Sequence, residues 1–136
     1  MKLLIEVCVV GSILIFLAGA QESPKPALRK GVSVQMPVAN HAVEMQAADE
    51  PNAMVVAITS EGKVFAGIES TEPGALSNLS AETVYVKADA RVSFQTVLTV
   101  LDALRGKSVV LLAASPANVE RTKFVSPHGI KVSVSR

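Results

Sequence analysis

Tryptophan is absent from this sequence, cysteine occurs once and histidine twice. The single cysteine, Cys8, excludes an intramolecular disulfide, a CxxC redox pair and any zinc site built on cysteine. His41 and His128 lie far apart in the chain, and neither has a second ligand at metal spacing. Aromatic residues make up only 4% of the chain, so the core has to be assembled from Val, Leu, Ile and Ala. A surplus of charge of either sign is missing as well. Thirteen Lys and Arg against twelve Asp and Glu leave a formal net charge of +1, which carries no electrostatic footprint of a nucleic-acid binder. There is no Gly-rich phosphate loop, no G-x-S-x-G elbow and no H-E-x-x-H pair. The neighbours Asp49 and Glu50 read as a solvated loop charge rather than an acid/base dyad. These absences predict no enzyme, no cofactor and no metal.

What is present is 136 residues, 49% hydrophobic and 18% charged. That suffices for one folded domain and argues against global disorder. The apolar mass is concentrated at the start: residues 3–20 are apolar apart from Glu6 and Ser12. As a helix rising ~1.5 Å per residue, this run spans about 27 Å, close to a bilayer core. Two readings fit it. One is a secretory signal peptide, with Lys2 as its basic head, residues 7–17 as its apolar middle and Ala18-Gly19-Ala20 as the cleavage site. The other is an uncleaved, single N-terminal hydrophobic helix that anchors the chain. Either one sends the rest across a membrane. Residues 21–30 (QESPKPALRK) follow as a polar linker that Pro24 and Pro26 hold extended.

From Gly31 the pattern predicts one small α/β domain of α+β character, residues 31–116, with residues 117–136 as a basic C-terminal tail. Val32, Val34 and Met36 alternate with Ser33 and Gln35, which predicts at most a short edge strand before Pro37. Residues 38–52 show no sustained period and read as a loop. Residues 54–59 (MVVAIT) read as a strand buried on both faces, turned by Ser60-Glu61-Gly62 into a returning strand at 63–67. Residues 69–81 contain Pro73, Gly74 and several hydroxyl residues, leaving room for one or two helical turns. Residues 83–88 (TVYVKA) alternate as a strand. Phe94, Val97, Leu98, Leu101 and Leu104 recur at helical spacing and predict one main amphipathic helix with those residues inward. Ser93 is placed to cap its start and Gly106 its end. Residues 108–113 (SVVLLA) form another buried strand, so the strand-helix-strand run predicts a crossover between parallel strands on a small mixed sheet with the helix on one face. Ile130, Val132 and Val134 alternate like an edge strand.

Two acidic residues stand out chemically. Asp89, between strand and helix, reads as a hydrogen-bonding loop residue. Glu6 sits in the apolar run, where an ionised carboxylate is costly and must take a proton or find a polar partner.

Three stretches together resemble a known pattern. Lys30-Gly31-Val32-Ser33-Val34-Gln35-Met36-Pro37 resembles a KGVxVxLP-type lead-in that follows a membrane anchor. Val56-Ala57-Ile58-Thr59 with Glu61-Gly62-Lys63-Val64-Phe65 resembles a first hairpin. Residues 83–89, ending in Ala88-Asp89, followed by Val92, Phe94 and residues 97–104, resemble a strand, an Ala-Asp turn and a helix. In this order they resemble the periplasmic domain of the ExbD/TolR family of biopolymer transport proteins. The resemblance implies structural roles for Lys30, Gly31, Gly62, Ala88, Asp89 and Phe94, and a proton-carrying role for Glu6 in place of that family's anchor Asp. It further implies a non-enzymatic subunit that dimerises, sits in the bacterial inner membrane with its main domain in the periplasm, and associates with an ExbB/TolQ-like channel protein and a TonB/TolA-like protein. If the first 20 residues are instead a cleaved signal peptide, the same domain reads as a secreted periplasmic protein-binding module with no proton coupling.

Overall fold

The structure is a computed structural model that describes residues 31–116 and 127–134. The expected hydrophobic helix, the linker, Glu6, Lys30 and residues 117–126 of the tail lie outside the described residues. Seven strands form one mixed sheet: β1 (Val43–Glu44), β2 (Met54–Ile58), β3 (Val64–Ala66), β4 (Glu69–Thr71), β5 (Thr83–Ala88), β6 (Ser108–Ala113) and β7 (His128–Val132). Their spatial order is β1-β7-β6-β5-β2-β3-β4. The central strands β2, β5 and β6 are parallel, and the outer pairs are antiparallel. Among the described residues one α-helix, α1 (Phe94–Ala103), connects β5 to β6, and short 3-10 helices occupy Gln46–Asp49 and Pro73–Asn78. The predicted mixed α/β architecture with one main helix is what the described residues show.

Local chemistry accounts for the joints. The link from β2 to β3 is a three-residue loop closed by Thr59 N–H donating to the Lys63 carbonyl at 2.9 Å. Gly62, its last residue, has φ +82°, the left-handed conformation that such a loop requires and that glycine adopts without strain. The hydroxyl of Ser93 accepts a hydrogen bond from Thr96 N–H at the head of α1, the cap expected from the sequence. At the other end Gly106 takes φ +86° and lets the chain reverse into β6. Lys107 then donates its ammonium to the carbonyls of Leu79 and Ala81, tying this reversal to the end of the second 3-10 helix.

Residues two apart share a face of the sheet, so each strand contributes to two layers. On the helix-bearing face, Val56, Ile58, Val84, Val86 and Val109 meet Val100 and Leu104 of α1 and Leu76 of the 3-10 turn, all completely or almost completely buried. On the opposite face Val110 and Leu112 are covered by Ala48, Met45 and Met36, with Tyr85 beside them. This second, smaller core is why β6 is apolar on both sides.

Several expectations are corrected. Phe94 does not face inward: it is 73% exposed at the first turn of α1, and Leu98 is 41% exposed. Of the five expected inward residues, Leu104 is completely buried and Val97 and Leu101 pack against the same core, joined by the completely buried Val100. Residues 32–36 keep the predicted alternation of half-buried and exposed side chains but form no strand; only Val38 makes an isolated parallel bridge, to Ala114. Residues 38–52, read as a loop, contain β1 and the 3-10 turn that roofs the second face. β7 is not an edge strand, since it pairs with β6 on one side and β1 on the other. The sheet therefore continues into the segment expected to be a tail. Edge strand β4 had no signal in the sequence at all. It follows β3 through Gly67-Ile68, with Gly67 at φ +65°, a two-residue hairpin turn.

Candidate functional site

The three parallel strands end on the same side of the sheet. In α/β folds ligands gather outside the carboxyl ends of parallel strands, at the point where successive crossovers diverge. Here the chain moves β2 to β5 to β6 in one direction, so no diverging crevice opens. The carboxyl ends are instead crossed by the protein's own residues 35–39. Ala90 N–H donates to the Gln35 carbonyl at 2.7 Å, Ala114 N–H to the Pro37 carbonyl at 2.9 Å, and Ala39 N–H to the Ala114 carbonyl at 2.9 Å.

Asp89 is the centre of this junction, just past β5, and it is the one buried charged residue among those described. Its Oδ1 accepts from the Arg91 backbone N–H at 3.0 Å and from Arg91 Nε at 2.8 Å. Its Oδ2 accepts from Arg91 Nη2 at 3.0 Å and from the Gln35 backbone N–H at 3.1 Å. A fork-on-fork pair thus clamps the carboxylate inside its own turn, while one further bond reaches 54 residues back in the chain. The Arg91 side-chain hydrogen bonds, then the backbone donors of Arg91 and Gln35, hold the Asp89 carboxyl well below the usual carboxylate range, although burial opposes them. Hydrogen bonding to Asp89 keeps the Arg91 guanidinium more firmly protonated in return. A fully partnered anion of this kind is a structural tie rather than a reactive acid.

The consequence for stability has a definite sign. Because the folded-state pKa of Asp89 lies below its unfolded value of about 3.9, its contribution is fully present above that value. It is lost as pH falls through it toward the folded value. Asp89→Asn should therefore melt below wild type at pH 7, and the gap between the two should begin to narrow below about pH 4 and keep closing as pH falls toward the folded-state value. Thermal melts at a series of pH values measure this; a gap independent of pH would mean that the charge is not what holds the junction.

The other residues singled out in the sequence are dispersed around the domain. Gly62 sits in the β2-β3 turn, where an added Cβ would lie 3.7 Å from the Thr96 side chain of α1. Ala88 ends β5, opposite Ile58 in register, and packs against the main core. Gly31 is exposed, and a side chain there would meet only the Lys87 ammonium at 3.7 Å. Phe94 projects from the start of α1 into solvent. His41 lies in an exposed turn, and His128 sits in β7 opposite Glu44 and Ala113. Among the described residues there is no cluster of His, Cys, Asp or Glu that could hold a metal ion. No described helix is long and apolar enough to cross a membrane. Sequence reasoning placed Asp89 but missed Arg91 and Gln35. The Asp-x-Arg spacing directly after a strand was the available signal for the first, whereas a backbone donor such as Gln35 N–H leaves no trace in residue identity. Comparison of the chain with family models, with curated proteins and with solved structures finds no match in any of the three.

Proposed function

We propose that this chain is a non-enzymatic subunit of a proton-motive-force-driven energy-transduction complex for biopolymer transport, of the ExbB-ExbD-TonB or TolQ-TolR-TolA type. One observation carries the reading: the separate stretches that resemble the ExbD/TolR pattern pack on one another. Gln35 of the lead-in is bonded to Asp89 of the Ala-Asp turn, and Gly62 of the hairpin lies near the helix, where a Cβ added to it would come within 3.7 Å of the Thr96 side chain. Such convergence is expected if the motifs form one working unit.

In this reading residues 1–20 anchor the chain in the inner membrane, and Glu6 takes and releases a proton inside a channel protein. Losing and regaining charge changes the position that an apolar helix prefers. The Pro-containing linker passes the displacement on, and it reaches the sheet where Gln35 is fixed through both its N–H and its carbonyl. The domain then works by binding a TonB/TolA-like protein, as a homodimer, with no bond made or broken.

Affinity purification of the full chain from detergent-solubilised membranes tests this. The expected result is an intact Met1 and a stoichiometric ExbB/TolQ-like channel protein. A mature chain beginning at Gln21 in the soluble fraction, without a channel partner, would replace the reading with that of a secreted periplasmic protein-binding module.

A further inference from the structure

We infer that residues 31–39 are a releasable strap, latched by Asp89, that lifts from the carboxyl ends of β5 and β6 as a unit while the seven-stranded sheet stays folded. The strap and the sheet are held by different forces. Val56, Ile58, Val84 and Val86 in β2 and β5 are completely buried, and breaking them apart exposes the main core to water. No residue of the strap is fully buried: Val32, Val34 and Met36 are half-covered, and Val38 is 53% exposed. What fastens it is the short set of hydrogen bonds to Asp89, Ala90 and Ala114, with the half-buried Met36 resting on the smaller second core. Segments with few buried apolar contacts and mainly peripheral hydrogen bonds open at lower free energy than the core they rest on.

The sheet topology reinforces the separation. β6 is already paired with β5 along one edge and with β7 along the other, so the strap cannot join it as a continuous ladder and makes only the single bridge of Val38 to Ala114, beyond the strand end. The latch survives opening because three of the four bonds to the Asp89 carboxylate come from Arg91, in the same turn. When Gln35 leaves, the carboxylate stays charged and aimed, ready to receive the same N–H again. That a pull on the incoming chain works this latch rests on the function proposed above; that the strap opens independently of the sheet does not.

Hydrogen exchange on the full chain in detergent micelles separates the two. In wild type at neutral pH, peptides covering residues 35–42 should exchange at least about tenfold faster than those covering 54–58 and 83–88. Asp89→Asn removes the charged acceptor, and Gln35→Pro removes the donor while leaving the Asp89–Arg91 pair intact. Each should speed strap exchange by about tenfold, the scale of one bond to a charged group, while the sheet peptides, which share any loss of global stability, stay at least about tenfold slower than the strap. One common rate for strap and sheet in wild type, sheet peptides that exchange as fast as the strap in a variant, or no acceleration of the strap in either would overturn the inference. Should Asp89→Asn fail to fold, Gln35→Pro and the wild-type rate order decide it. Exchange needs no partner protein, so this result stands apart from the purification experiment.

Discussion

Gly129→Val should destabilise the domain by about 2 kcal/mol or more. Gly129 is buried in β7 beneath the roof of the second face. A Cβ added there would lie 2.7 Å from Val110 Cγ1, 2.9 Å from the Leu111 carbonyl oxygen and 3.3 Å from Met45 Cγ. The two side chains can rotate away, but the carbonyl belongs to β6, whose register with β7 pairs Leu111 with Ile130. Relief therefore means moving a strand. Two effects compete: valine suits a strand better than glycine by up to about 1 kcal/mol, whereas overpacking a filled site costs about 1–3 kcal/mol and occasionally more. Valine brings its two methyls in addition to the clashing Cβ, so the steric cost prevails. At about 4–8 °C per kcal/mol for a domain of this size, the melting midpoint should fall by roughly 10 °C or more. Gly129→Ala should lie between wild type and valine. Circular dichroism melts measure the series, and an unchanged midpoint would show that Met45 and β6 do not close over β7 as described.

On the function proposed above, Glu6→Gln should reduce energy transduction to background while leaving the melting of the domain that begins at Gly31 unchanged. The amide has nearly the carboxyl's shape and polarity but cannot take up or release a proton. An ionised acid costs about 2.5–3.5 kcal/mol at the centre of an apolar helix and less toward its end, where Glu6 stands as the fourth residue of the run 3–20. Glu6→Asp, which keeps the exchangeable proton, should retain partial activity. The measurement is energy-dependent work by the transport complex in cells whose only copy of the chain is the variant. Full activity of Glu6→Gln would remove the proton-carrying role.

Much of the fold was legible because it is written in local chemistry. β2, β5, β6 and α1 were each readable from residue identity, since β-branched runs, the Ser93 cap and the Gly62 turn act over a few neighbouring residues. The same local reading failed where burial is decided by distant partners. Phe94 has the right spacing to face inward, yet spacing alone does not say which residues of that stripe the core reaches. Residues 43–49 carry no period because their task is to roof the second face, a role visible only once β6 and β7 lie beneath them. The site divides in the same way: Asp89 was marked by its place after a strand, but its partner at Gln35 is a backbone N–H that any residue except proline supplies.

The sequence by itself determined the composition of the core and the parallel strand-helix-strand unit, because propensity, capping and periodicity are properties of adjacent residues. Only the tertiary structure decided the strand order, the inclusion of β7 in the sheet, the need for glycine at 129 and the clasp of residues 35–39 over the strand ends. Those depend on which distant backbone groups are brought within hydrogen-bond and van der Waals reach, and chain closure sets that rather than residue type.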